Sequence, residues 1–201
     1  MKKLLFLAAA LLTVGAASAQ ITYSLGFINT STTATYEATI GGVKISNTNT
    51  DSWNGFTIGL DDNINLTGDL NVAPGVEMAF SMRSKDDIKY KKFGLLVPVD
   101  FNYGFALGSD IKLFVFAGPT FDLGLVYNAK DDDGNKVNYY DKDTAVNFSR
   151  LDVLMGGGAW VTFQDQFRLK IGYKAGMLNT CKTDGYTVKN NVLSVSLGYI
   201  F

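Results

Sequence analysis

The C-terminal stretch Val192-Leu-Ser-Val-Ser-Leu-Gly-Tyr-Ile-Phe201 decides how the rest of the chain is read. Leu193, Val195, Leu197, Tyr199 and Phe201 share one face, and Ser194, Ser196 and Gly198 share the other, with Ile200 as the exception. Side chains of a strand point alternately to its two faces, so this period predicts a β-strand with one apolar wall. The segment before it repeats the pattern with more contrast. Phe167, Leu169, Ile171, Tyr173, Ala175 and Met177 alternate with Arg168, Lys170, Gly172, Lys174 and Gly176, which makes the second face basic. The same alternation runs through Leu70–Met82 and Phe93–Tyr103.

Extended over the chain, the pattern predicts eight strands, near 20–29, 53–61, 69–82, 91–104, 110–128, 147–163, 166–178 and 190–201. The expected connections alternate in character. Polar stretches, Thr30–Ser52, Arg83–Tyr90, Ala129–Val146 and Asn179–Lys189, follow the odd-numbered strands. The links Gly104–Ser109 and Gln164-Asp165 are brief, and Asp61–Gly68 is intermediate. Short turns at one end, longer loops at the other, an even strand number and an apolar outer band describe a barrel in lipid rather than a soluble sandwich. Tyr103, Phe105, Phe163, Phe167, Tyr199 and Phe201 fall near the short turns, and Trp53, Tyr90, Phe93, Tyr127 and Phe148 near the long loops, as aromatic girdles do. No unpaired backbone amide can face hydrocarbon, so a sheet in the membrane must close. The expected fold is therefore all-β, an eight-stranded antiparallel up-and-down transmembrane β-barrel.

Met1-Lys2-Lys3, an apolar run from Leu4 to Ala17 and the small residues Ala17-Ser18-Ala19 have the layout of a cleaved secretory signal. Residues 1–19 are expected to be removed, leaving 20–201 as one barrel domain in the bacterial outer membrane. Without Lys2 and Lys3, 16 basic residues face 19 acidic ones, a net charge of about −3 that offers nothing to nucleic acid. The single cysteine, Cys181, excludes an internal disulfide and reads as an unpaired loop thiol. Histidine is absent, which removes any Ser-His or Asp-His hydrolase, and the expectation from sequence is that the chain is not an enzyme and carries no cofactor or metal.

The terminal strand ending on Tyr199 and Phe201 resembles the C-terminal signal by which outer-membrane barrels are recognised for insertion. Leu95-Leu-Val-Pro-Val-Asp100, Phe116-Ala-Gly-Pro-Thr-Phe121, Gly156-Gly-Gly-Ala159 and Leu169-Lys-Ile-Gly-Tyr-Lys-Ala-Gly176 look like strand cores of the PorT-like outer-membrane β-barrel family. The general shape is similar to the OmpA and OmpX membrane domains. The resemblance implies a small barrel, with some members linked to protein secretion and gliding, and brings no catalytic residues.

Projecting the alternation inward gathers Glu77, Asp100, Asp122 and Asp152 with Lys112, Arg150, Arg168, Lys170 and Lys174 on the face opposite the lipid. An eight-stranded barrel is only wide enough for its own side chains, so these charges are expected to form a plugged, salt-bridged interior. A narrow small-solute channel gated by one such pair, or a part in a secretion or envelope machinery, is the alternative. Asp131-Asp132-Asp133-Gly134-Asn135 offers oxygen ligands of the kind Ca²⁺ takes but reads better as a solvated turn, and Gly156-Gly157-Gly158 reads as relief of crowding inside a strand. The expected role is structural or interactive: a barrel presenting external loops, in contact with lipopolysaccharide, the barrel-insertion machinery and a partner protein of the envelope.

Overall fold

The protein is described by a computed structural model covering residues 20–144 and 146–201. The expected signal segment, Met1–Ala19, lies outside the described residues. Among the described residues, nine strands occur in the order β1 (Gln20–Ile40), β2 (Val43–Thr67), β3 (Leu70–Lys85), β4 (Ile88–Ala106), β5 (Ile111–Lys130), β6 (Lys136–Asn138), β7 (Leu151–Phe163), β8 (Phe167–Gly176) and β9 (Tyr186–Ile200). All neighbours pair antiparallel in the cyclic order β1-β2-β3-β4-β5-β7-β8-β9, with β1 on β9 and β4 on β5 closing the wall. The short β6 lies on the far end of β5 only, as the return arm of a hairpin outside the barrel. The fold is an eight-stranded antiparallel barrel.

The two faces of each strand segregate as the alternation demands. Leu25, Phe27, Ile58, Phe101, Leu169, Ile171 and Leu197 stand exposed on the outer wall, and Ile28, Leu96, Phe116, Leu154 and Trp160 are buried inside. Exposed apolar residues on a closed sheet are the surface that acyl chains cover. Both chain ends lie with the short turns: Phe201 N donates to the Ile21 carbonyl, and the turns at Gly68-Asp69, Leu107–Asp110 and Gln164–Gln166 share that end.

Strand length is where the expectations fail. Thr30–Ser52 is not a loop: β1 and β2 continue in unbroken register to a turn at Gly41-Gly42, whose φ angles of 59° and 82° only glycine adopts without strain. β2 likewise runs on to Thr67, and β3 and β4 meet in a tight Asp86-Asp87 turn instead of an Arg83–Tyr90 loop. The physical reason is that both faces of Thr30–Ser52 meet water above the membrane, so polar residues suit both and the apolar contrast that marks a strand is lost. β7 begins at Leu151 rather than near 147, because Phe148 pairs with Cys181 in an isolated bridge between two loops.

Three prolines, the whole complement of the chain, interrupt the wall in neighbouring places. Pairing skips between Asp61–Gly75 and Ile64–Val72 beside Pro74, between Pro74–Val99 and Glu77–Leu96 beside Pro98, and between Pro98–Thr120 and Phe101–Ala117 beside Pro119. Proline brings no N–H to a ladder, so this region of β2 to β5 is the least bonded part of the sheet.

Gly158 and Gly172 make room for the Phe116 ring, which packs with Trp160, Phe114 and Ala73 in the lumen. A Cβ on Gly158 would lie 2.1 Å from the Ile171 carbonyl oxygen and 2.8 Å from Phe116 Cζ. Gly158→Ala is therefore expected to destabilise the barrel by about 1–3 kcal/mol, seen as a lower urea midpoint in refolded protein. An unchanged midpoint would show that the crowding is relieved elsewhere.

The charged lumen and its outer mouth

The lumen is charged in three layers, from the short-turn end outward. In the first, Arg168 on β8 reaches across to Asp61 on β2, with Nη1 donating to Oδ1 at 2.6 Å and Nη2 to Oδ2. Both side chains are buried, and the guanidinium carbon sits 5.5 Å from the Trp160 ring. Beside them runs a chain of amides: Asn65 Nδ2 donates to Asn71, Asn71 Nδ2 to Asn102, and Asn102 Nδ2 to Asn63. In the second layer, Asp100 accepts from Lys170 Nζ at 2.9 Å and from Lys174 Nζ at 2.5 Å. Lys174 also donates to Thr120 Oγ1, and Lys170 lies 4.5 Å above the Phe116 ring. Glu77 lines the same cavity, of about 50 Å³.

The third layer lies under the outer mouth. Asp122 on β5 and Asp152 on β7 are direct cross-strand partners, and Asp152 accepts from Asn190 Nδ2 at 3.1 Å and from Val153 N at 2.8 Å. They line a cavity of about 70 Å³ with Lys92, whose ammonium sits 4.9 Å from the Trp53 ring and 4.6 Å from Tyr127. Above this, Tyr139, Tyr140 and Phe148 from the β5–β7 connection pack on Tyr127 at 4.6, 5.9 and 5.4 Å. Tyr140 fits because position 124 is glycine; a Cβ there would meet the Tyr140 hydroxyl at 1.7 Å. The result is an aromatic lid pinned by cations, a favourable arrangement where rings and charges are shielded from water.

Seven of the nine charges projected inward, Glu77, Asp100, Asp122, Asp152, Arg168, Lys170 and Lys174, lie within the lumen. Lys112 and Arg150 lie at its two rims, Lys112 lining the short-turn cavity with Arg168 and Trp160, and Arg150 the outer cavity with Asp122 and Asp152. Lys112 stands at the short-turn rim, exposed and paired at 2.9 Å with Asp165 of the β7–β8 turn, which reaches it first. Arg150 precedes β7, donates to the Leu125 carbonyl at 3.0 Å and lies 4.6 Å from Tyr140, so it clasps the lid. Sequence reasoning missed Asp61, because the second strand was ended there. It missed Lys92 too, although a basic residue two positions before Gly94 on the inward face was signal enough.

The loops hold local chemistry. Asp131 accepts from Asn135 N at 2.8 Å and from Asn135 Nδ2 at 2.9 Å, and these bonds hold its carboxyl below the usual range. Among the described residues no group of three acidic or thiol side chains converges on a metal position. Above the mouth, Asp51 pairs with Arg83 at 2.9 Å and Lys85 at 3.3 Å. Burial pushes the Asp51 carboxyl up, but the hydrogen bonds and charges of Arg83 and Lys85 outweigh it, and the folded value lies below the ordinary 3.8. A depressed folded value means that the stabilisation is present above pH 3.8 and is lost as pH falls through the lower one. Asp51→Asn is expected to remove that acid step, worth less than about 1 kcal/mol at this part-exposed site, as read from urea midpoints at pH 7 and pH 3. An equal loss in both proteins would sink the assignment.

The family model for the outer membrane protein β-barrel domain matches residues 4–201. No curated protein matches the chain. Among solved structures, the attachment invasion locus protein Ail of Yersinia pestis is 15% identical over 91% of this chain and 99% of its own, with a TM-score of 0.43. Neisserial surface protein A is 13% identical over 88% and 97%, with a TM-score of 0.47. The outer membrane enzyme PagL is 16% identical over 83% and 97%, with a TM-score of 0.41, and the protease OmpT of Escherichia coli is also among the matches. These two correct the expectation that the chain is not an enzyme: similar barrels include enzymes. With that match across nearly the whole sequence, the chain belongs to the outer membrane protein β-barrel domain family, and its place is the bacterial outer membrane.

Proposed function

We propose that this barrel is an interaction protein that holds a β-sheet wing above the membrane, over a lumen plugged by its own charges. The observation that carries the reading is the free edge of β2. Ser31–Tyr36 of β1 pairs with Tyr186–Asn191 of β9, and Thr30–Ile40 pairs with Val43–Trp53 of β2, but β3 joins β2 only from Asn54 inward. That leaves about 35 Å of strand edge facing water. The tight turn makes Ile40–Val43 the closing pair, so the N–H groups of Lys44, Ser46, Thr48, Thr50 and Ser52 point away from β1. Val43, Ile45, Tyr36 and Tyr186 add an exposed apolar patch at the tip. An extended segment of a partner chain meets there both a row of backbone groups and side-chain contacts.

The finer placement among PorT-like barrels rests on the strand-core motifs and fits a role in an envelope or secretion assembly. A photocrosslinker at Lys44 or Thr48 in living cells is expected to give discrete adducts that Ser46→Pro removes, since proline deletes one outward donor while β1 pairing survives. No adducts at the edge, or adducts indifferent to Ser46→Pro, would refute the edge as the docking site. Single-channel recording separates the channel alternative: steady ohmic openings that shift on neutralising Arg168 or Asp152 would overturn the plugged lumen.

A further inference from the structure

We propose that the unpartnered carboxylate oxygen of Asp62, on the lipid-facing wall between β2 and β3, holds the primary ammonium of an inner-leaflet lipid headgroup. The neighbours of Asp62 along β2 both point inward: Asp61 takes Arg168, and Asn63 accepts from Asn102. Asp62 therefore faces outward, opposite Ile21 of β1. It is nonetheless 7% exposed, and its Oδ1 is buried with no donor among the described residues. The adjacent strand adds none. Pro74 pairs with Val99 on β4, so its imide nitrogen is turned toward β2, where pairing lapses and the Asp62 carbonyl meets no N–H. Arg168, on the lumen side of the wall, is already paired with Asp61.

An unsatisfied carboxylate oxygen on a membrane wall is costly, and although the Asn63 N–H lies beside the carboxyl, Oδ1 stays open to a donor that has no acceptor. An ammonium has three N–H groups and nothing else. The height of the niche selects the source. The Ile21 carbonyl takes Phe201 N, and Tyr23 packs on Phe201 at 5.2 Å, so Asp62 lies beside the inner aromatic girdle, where headgroups sit. An ethanolamine tip brings N–H donors to that oxygen, and the trimethylated tip of a choline has none to give.

The test is native mass spectrometry of the refolded protein released from nanodiscs of equal phosphatidylethanolamine and phosphatidylcholine. The expected result is retention of phosphatidylethanolamine over phosphatidylcholine by about fivefold, the factor carried by roughly 1 kcal/mol. Asp62→Asn is expected to abolish the preference. Pro74→Ala, which offers the Asp62 carbonyl an N–H, is expected to reduce it while raising the unfolding midpoint. Equal retention of both lipids by the unmodified protein overturns the proposal, as does a preference that survives in Asp62→Asn. So does a single protein adduct held by Asp62 in place of lipid. None of these outcomes bears on the β2 edge, so the two readings fail separately.

Discussion

Asp100→Ala is expected to lower the stability of the folded barrel by about 3–5 kcal/mol, the cost of leaving buried charge without its partner. Among the described residues, Asp100 is the only group that accepts from both Lys170 and Lys174, and its side chain is 1% exposed. Its removal confines two ammonium groups beside the Phe116 ring, where the cation–ring contact replaces little of what is lost. The asymmetry within the triad makes the prediction sharp. Lys170→Met leaves Asp100 bonded to Lys174, and Lys174→Met leaves it bonded to Lys170, so each single lysine change should cost clearly less than Asp100→Ala. Urea unfolding of refolded protein, followed by Trp160 and Trp53 fluorescence, measures all three. An Asp100→Ala midpoint no lower than those of the lysine variants would mean that water already solvates this layer.

Arg168→Ala carries the second large effect, again about 3–5 kcal/mol. The bidentate pair with Asp61 ties β8 to β2 across the lumen, and the arginine packs against Trp160 and above Gly198. Alanine leaves the Asp61 carboxylate buried and alone, and also removes the packing. Combining Asp61→Asn with Arg168→Met removes both charges and keeps most of the volume, and should recover much of the loss, because neutral packing of similar size often replaces a buried pair without penalty. A double variant no better than Arg168→Ala would show that the pair's geometry, not the stranded charge, sets the cost.

What the sequence revealed depended on contrast between faces. Leu169–Met177 and Leu193–Phe201 have lipid on one side and the lumen on the other, so oily and small or charged residues alternate and the strands could be read directly. From Thr30 to Ser52 the same backbone has water on both sides, and Thr33–Thr50 and Thr35–Thr48, bonded through their hydroxyls at 3.1 Å, look like loop residues in a one-dimensional reading. The inward charges were visible for the same reason as the strands, but their partners were not. Arg168 and Asp61 are 107 positions apart, and which residue meets which depends on the tilt and closure of the barrel. The aromatic lid was illegible because Tyr139, Tyr140 and Phe148 come from an irregular connection with no period to follow.

The wing has a direction as well as an edge. β2 descends from the tip into the bilayer, and every copy in the same membrane presents that strand descending. Antiparallel addition requires strands of opposite sense, so copies standing side by side are denied it and are left only the less stable parallel pairing. A crowded membrane can therefore carry this barrel at high density without zipping its copies together. A chain that arrives with a free end, or from a facing cell, is under no such constraint.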